Sequence, residues 1–133
     1  MKKIYDNIKS FREFEIFEAM KKNIGVGGDC YLANAKHFQD MADDDENLVL
    51  VHGYVISQTQ QRVKYDHCWI ENDDTVFDFS NGRELEIPKQ VYYALGHIKD
   101  SESFKYNEKE LRKKVLKYKT WGPWDLEIKN ERL

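Results

Sequence analysis

The sequence has few cysteines, few prolines and no long apolar run, and each scarcity excludes a class of protein. Two cysteines in 133 residues are too few for a disulfide scaffold. Two prolines, Pro88 and Pro123, leave no proline-rich linker. No stretch approaches the roughly 18 apolar residues of a membrane-spanning helix. The formal net charge of -3 argues against a dedicated nucleic-acid binder, which usually carries a basic surplus.

What the chain does contain fits one domain spanning residues 1–133. Its 41% hydrophobic and 14% aromatic residues exclude a disordered chain, and its length supports a single core. Charged residues interrupt the N-terminal segment throughout, so it has no apolar region of the kind that a signal peptide needs. We therefore expect a cytoplasmic protein with reduced cysteines and with no nucleic-acid or membrane partner. The sequence leaves the oligomeric state open.

Apolar residues recur at helical spacing in the first third of the chain and again near its end. Residues 1–24 and 30–42 each follow the helical period, and a glycine-rich turn at residues 25–29 separates them. The acidic run at residues 43–46 lacks the alternating ligands and central glycine of a calcium loop, so it predicts a solvated loop. A further helix is predicted at about residues 107–119, with a basic face turned to solvent.

The middle of the chain is typical of β-structure. Strands are predicted over residues 48–56, 63–71 and 75–79, with a polar turn at residues 58–61. Residues 91–95 fit either a fourth strand or a short helix. Helices followed by a run of strands indicate an α+β fold, in which the N-terminal helices pack on an antiparallel sheet of three to five strands.

Cys30 stands where a nucleophile would be activated. It follows the glycine-rich turn and begins a predicted helix. The free N–H groups and partial positive charge of a helix N-terminus favour a thiolate, and the same N–H groups can hold an oxyanion. The alternative is that Cys30 is a small buried hydrophobic residue of the core.

His67 and Asp78 are predicted to meet across a hairpin. If Asn72 and Asp73 form a two-residue turn, His67 and Asp78 are direct cross-strand partners on one face of the sheet. A carboxylate in that position holds an imidazole in one tautomer. The alternative is an incidental surface pair. Together with Cys30, the two residues form a candidate nucleophile, general base and orienting acid.

Four segments around these residues resemble the core of the transglutaminase-like branch of the papain-like cysteine enzymes. They carry a Gly-x-Cys helix start, a strand ending near Gly-Tyr, a His-x-Trp strand and a following strand ending in Asp, at residues 28–35, 50–55, 67–71 and 76–80. The chain also resembles small uncharacterised bacteriophage proteins with this core and a late Gly-Pro-Trp, which would place it in the host cytoplasm.

The resemblance implies a papain-like or transglutaminase-like core and a cysteine-dependent acyl-transfer enzyme. The activity would be that of a peptidase, an amidase, a deamidase or a transglutaminase-like enzyme, acting on a protein or peptide amide without cofactor or metal. Papain-type proteases place a glutamine several residues before the cysteine, and this chain has none there. Asn34 or His52 is the candidate for the missing oxyanion donor, and Trp69 is expected beside the site on the His67 face.

Two other function classes stay open at this point. One is a catalytically inactive binding protein with the same fold, such as a phage protein that acts on a host factor. The other is a metal site, because the two cysteines, His52, His67 and Asp78 include zinc ligands. Adjacent His67 and Cys68 point to opposite faces of a strand, which argues against one shared ion. Trp121 and Trp124 are expected to pack, or otherwise to close over the site.

Overall fold

The computed structural model describes residues 9–22, 30–57, 62–128 and 130–132. Residues 1–8 and the predicted turns at 25–29 and 58–61 lie outside the described residues. Helices and strands follow one another along the described part of the chain as α1 (Phe11–Lys22), α2 (Cys30–Ala42), β1 (Val49–Ile56), β2 (Val63–Glu71), β3 (Thr75–Asp78), β4 (Leu85–Pro88), α3 (Lys89–Gly96), β5 (Phe104–Tyr106), α4 (Glu108–Tyr118) and β6 (Asn130–Arg132).

The strands form one antiparallel sheet in the order β4-β3-β2-β1-β5, and β6 pairs with the start of β2. The predicted α+β fold, with N-terminal helices and an antiparallel sheet, is therefore confirmed. β1 and β2 pair from Val49 opposite Glu71 to Ile56 opposite Lys64. The sequence did not predict β4, β5 or β6, which are three or four residues long.

The two faces of the sheet carry separate apolar clusters. Residues of α1, α2 and α4 pack against one face, where Leu50, Cys68 and Ile70 are buried. Tyrosines of α3 pack against the other face, around Val51 and Trp69. The alternation of side chains along β2 separates the two clusters, since odd and even positions point to opposite faces. Cys68 therefore faces away from the His67 side, as the sequence predicted.

β2 and β3 pair in a register that differs from the predicted one. Ile70 lies opposite Phe77, whereas a turn at Asn72 and Asp73 would have placed it opposite residue 75. The central residues of the turn are instead Asp73 and Asp74. The prediction that His67 and Asp78 are direct cross-strand partners is therefore wrong.

The side chain of Asn72 explains where the turn forms. Its Oδ1 accepts hydrogen bonds from the backbone N–H groups of Asp74 and Thr75, at 2.9 and 2.8 Å. An asparagine in this role precedes the turn rather than occupying its centre. Moving the turn by one residue shifts the cross-strand pairing by two. Because side chains alternate with a period of two, His67 and Asp78 stay on the same face as diagonal neighbours.

The helix boundaries follow from local capping. α1 begins at Phe11, and residues 9 and 10 are not helical, so the helix predicted from residue 1 is wrong at those two positions. The Ser10 Oγ accepts a hydrogen bond from the backbone N–H of Glu13 at 3.1 Å, which satisfies one of the unpaired donors of the first turn. α2 spans Cys30–Ala42, as predicted, and the acidic run after it is a mostly exposed loop.

The two later helices also have identifiable start signals. Residues 91–95 belong to the helix α3, which begins directly after Pro88. α4 begins after Asn107, whose side chain forms a capping box with Glu110, and its basic residues are mostly exposed. Among the described residues, no helix has the length and apolar character that crossing a membrane requires.

Candidate active site

His67 and Asp78 form a buried hydrogen-bonded pair. The Nε2 atom of His67 lies 2.9 Å from Oδ2 of Asp78, and only 8% and 2% of the two residues are exposed. β2 carries the imidazole, and the end of β3 carries the carboxylate. With Nε2 directed at Asp78, Nδ1 is the ring nitrogen that is left for another partner.

The pair stabilises the charged form of each partner. Burial by itself lowers the pKa of His67. Hydrogen bonds to Asp78 and Cys30, together with the negative charges of these two groups, outweigh the effect of burial and raise the pKa to about 9. Burial by itself raises the pKa of Asp78, and the bonds from His67 and Ser80 outweigh it, so that the net pKa is well below the usual range. The geometry therefore favours an imidazolium beside a carboxylate.

Cys30 lies at the first residue of α2 and is half-buried. Its side chain is close to His67, and it is one of the causes of the raised pKa of the imidazole. The second cysteine, Cys68, is fully buried among apolar residues, and burial raises the pKa of its thiol well above the usual value. The structure thus brings Cys30, and not Cys68, together with His67 and Asp78.

Asn34 clamps the start of α2 to the sheet. Its Nδ2 donates to the carbonyl oxygens of Cys30 and Cys68 at 2.8 and 3.0 Å, and lies 3.3 Å from Oδ1 of Asp78. Its Oδ1 accepts from the backbone N–H of Phe79 at 2.9 Å. These contacts use both amide hydrogens of a fully buried side chain. Both amide hydrogens are thus engaged within the fold, and the oxyanion role of Asn34 stays a prediction.

Two further residues hold Asp78, and the sequence analysis missed both. The backbone N–H and Oγ of Ser80 donate to Oδ1 of Asp78 at 3.0 and 2.7 Å. Tyr92, from α3, donates its hydroxyl to Oδ2 at 3.1 Å. An Asp followed two residues later by Ser is a recognisable turn signal and could have identified Ser80. Tyr92 carries no such signal, because only the packing of α3 brings it to the carboxylate.

His52 lies inside the core rather than at the site. It is fully buried and contacts the rings of Tyr31, Tyr106 and Trp124, with centroid distances of 4.9, 5.0 and 4.7 Å. Neither ring nitrogen has a hydrogen-bond partner among the described residues. Burial lowers the pKa of His52 to about 3, so the ring is neutral. His52 therefore lies in the core, and its role as an oxyanion donor stays a prediction.

Trp69 supports the imidazole from within the core. It is fully buried, and its ring stacks on His67 at a centroid distance of 6.3 Å. Its Nε1 donates to Glu71 at 3.3 Å. The predicted place beside His67 is correct, and no part of the side chain reaches the surface. Gly53 makes this packing possible, since a Cβ there would lie 2.7 Å from the indole ring.

The two C-terminal tryptophans pack into the helical side of the core. Trp121 contacts Phe11 and Phe14, and Trp124 contacts His52 while its Nε1 donates to the carbonyl oxygen of Thr120 at 2.9 Å. Both are at most 8% exposed. The packing role is thus the one observed, and neither ring closes over the His67 pair.

A cleft of about 420 Å³ opens beside the pair. His67 and Asp78 line it together with residues of β4 and α3. Cys30 is not among the lining residues. Within the described part of the chain, no three His, Cys, Asp or Glu residues are grouped as a metal ion would need.

Comparisons with known proteins found no relative of this chain. The chain matches no protein-family model, no curated protein and no solved structure. Its functional interpretation therefore depends on the geometry of the site.

Proposed function

We propose that this protein is a cysteine-dependent acyl-transfer enzyme with a papain-like or transglutaminase-like core, acting on a protein or peptide amide. The observation that carries the proposal is the buried His67–Asp78 hydrogen bond of 2.9 Å, and the contribution of Cys30 to the raised pKa of His67 supports it. Nucleophile, base and orienting acid then stand in the order that nucleophilic catalysis requires.

The raised pKa of His67 supports an activated thiol. An imidazole that stays protonated to about pH 9 can hold a neighbouring sulfur as a thiolate through an ion pair. Asp78 stabilises this state, and Asn34, Ser80 and Tyr92 hold its carboxylate in place. An incidental surface pair would have neither this burial nor these further bonds.

The proposed reaction is a two-step acyl transfer. The Cys30 Sγ attacks the amide carbonyl carbon, an S–C bond forms, and the oxyanion is held by backbone N–H groups at the start of α2. The C–N bond then breaks while His67 gives its proton to the leaving nitrogen. Water or an amine attacks the thioester, its proton passes to His67, and the S–C bond breaks to restore the thiolate.

Alkylation by iodoacetamide tests the proposal without a known substrate. A free cysteine is only a few per cent thiolate at pH 7, so a Cys30 thiolate should react about tenfold faster than free cysteine. Peptide mapping by mass spectrometry assigns the modification to Cys30 or Cys68. His67→Ala should slow the reaction of Cys30 to about the rate of a free thiol. The control His97→Asn changes an exposed histidine outside the site and should leave the rate unchanged.

The competing function is a binding protein with the same fold. It is favoured by the exposed apolar side chains of Val91 and Leu95 in the cleft, which are 46% and 54% exposed. If Cys30 reacts like a free thiol and His67→Ala has no effect, the acyl-transfer proposal fails and binding becomes the better interpretation.

A further inference from the structure

The walls of the cleft beside His67 are apolar. Its lining includes Leu85 and Ile87 of β4, with Val91, Tyr92 and Leu95 of α3. Leu85 and Ile87 alternate with exposed glutamates, which are not among the lining residues. The lining therefore fits an apolar side chain and keeps the acidic groups of β4 outside.

One cation lies among these apolar walls. Arg83 is exposed and lines the cleft, and its guanidinium makes two long hydrogen bonds to Ser80, each of 3.4 Å. Of the other charged groups in the described lining, His67 and Asp78 are paired with each other. The cleft thus offers an apolar surface with a single guanidinium, which complements a ligand that is apolar and anionic.

The position of His67 decides which part of a substrate the cleft holds. In the proposed reaction, His67 gives a proton to the leaving nitrogen, so that nitrogen must come within hydrogen-bond reach of the imidazole. His67 lines the cleft, and Cys30 does not. The acyl group stays with the Cys30 sulfur, and the leaving amine is the part that enters the cleft.

We infer that the substrate is a peptide with an apolar C-terminal residue, whose side chain fills this cleft and whose α-carboxylate pairs with Arg83. The inference deepens the proposed function and depends on it for the reaction. Transfer of the acyl group to Cys30 breaks the last peptide bond, and the released amino acid takes the proton from His67. Water then hydrolyses the thioester, which gives the shortened peptide a new carboxylate.

Reversible binding tests the ligand assignment without any reaction at Cys30. N-acetyl-leucine and N-acetyl-leucinamide differ only in the carboxylate, and NMR titration can follow the methyl signals of Val91 and Leu95. We expect the carboxylate to bind about fivefold more tightly, in keeping with a partly exposed ion pair. Arg83→Gln should abolish this preference, and Arg83→Lys should retain part of it. The control Arg112→Gln removes an exposed arginine on α4, outside the cleft, and should leave the binding of both compounds unchanged.

Equal binding of the two compounds, or shifts confined to residues outside the cleft, would overturn the inference.

A second pair of probes separates this inference from the proposed function. Bromoacetyl-leucine should alkylate Cys30 faster than bromoacetyl-leucinamide, and Arg83→Gln should equalise the two rates. If the rates depend on His67 but not on the carboxylate, the assignment of a C-terminal residue to the cleft is wrong, and the acyl-transfer proposal stands. If the carboxylate preference in binding holds while Cys30 is inert, acyl transfer is wrong and the cleft assignment stands.

Discussion

His67 and Asp78 bond to each other from diagonal positions on β2 and β3, with 2.9 Å between Nε2 and Oδ2. The bond therefore depends on how firmly the carboxylate is held at the end of a four-residue strand. Three other side chains hold it, from α2, from the turn after β3 and from α3: Asn34, Ser80 and Tyr92. The orientation of the imidazole is thus a property of the whole fold around Asp78.

Asp78→Asn should lower the pKa of His67 well below about 9. The reason is that burial lowers the imidazole pKa, and the variant removes the carboxylate charge that opposes it. NMR titration of the His67 ring measures the change. Asp73→Asn replaces an exposed carboxylate of the hairpin turn and serves as the control. A His67 pKa that stays near 9 in Asp78→Asn would contradict the assigned cause.

Asn34→Ala should lower the free energy of unfolding by about 2–4 kcal/mol, since each buried polar group left unpaired costs about 1–3 kcal/mol. The variant leaves the Cys68 carbonyl and the Phe79 N–H without their partner. Urea unfolding measures the loss, and Asn47→Ala, at an exposed position, is the matched control. Alkylation of Cys30 should also slow, because Asn34 ties the Cys30 carbonyl to Asp78. An Asn34→Ala variant as stable as the wild type would contradict the assignment of these hydrogen bonds as stabilising.

The buried His52 should make the protein less stable as the pH falls. Its folded-state pKa of about 3 lies below the roughly 6.5 of the unfolded chain, so the unfolded state binds the proton first. The stability that neutral His52 contributes should be complete above about pH 6.5 and decrease below it, by at most about 1.4 kcal/mol per pH unit. His67 acts in the opposite direction: its folded-state pKa of about 9 lies above that of the unfolded chain, so its contribution is complete well below about pH 6.5 and is lost as the pH rises towards 9.

His52→Phe tests this assignment. It keeps an aromatic ring among Tyr31, Tyr106 and Trp124 and removes two nitrogens that have no partner among the described residues. The free energy of unfolding between pH 5 and 6, where unfolded His67 is still mostly protonated, should therefore depend less on pH than in the wild type. His97→Asn, which changes an exposed histidine, should keep the wild-type slope. Identical slopes for wild type and His52→Phe would assign the acid sensitivity to other groups.

Cys68→Ala should keep the reactivity of Cys30 and cost about 1–2 kcal/mol of stability, because it leaves a small cavity in the core. Cys68 is fully buried with Leu50 and Ile70, on the face of the sheet opposite His67. Iodoacetamide alkylation and urea unfolding measure the two effects, with Cys30→Ala as the reactivity control. A folded Cys68→Ala protein with an unreactive Cys30 would contradict the assignment of the nucleophile.

Local patterns in the sequence determined the elements that carry the site. The helical period gave α2 its bounds, Cys30–Ala42, and the polar turns on either side gave β2 its bounds, Val63–Glu71. The period of two also placed His67 and Asp78 on one face and Cys68 on the other. These properties depend on residues that are close in the chain, so composition and spacing were sufficient to predict them.

The tertiary structure decided everything that depends on distant residues. The position of the β2–β3 turn is an exception, because the Asn72 side chain sets it locally and thereby makes His67 and Asp78 diagonal neighbours. The packing of α2 on β2 used the amide of Asn34 internally, and aromatic rings enclosed His52. Burial and hydrogen-bond partners are settled when separate elements pack together, and spacing along a single element cannot specify them.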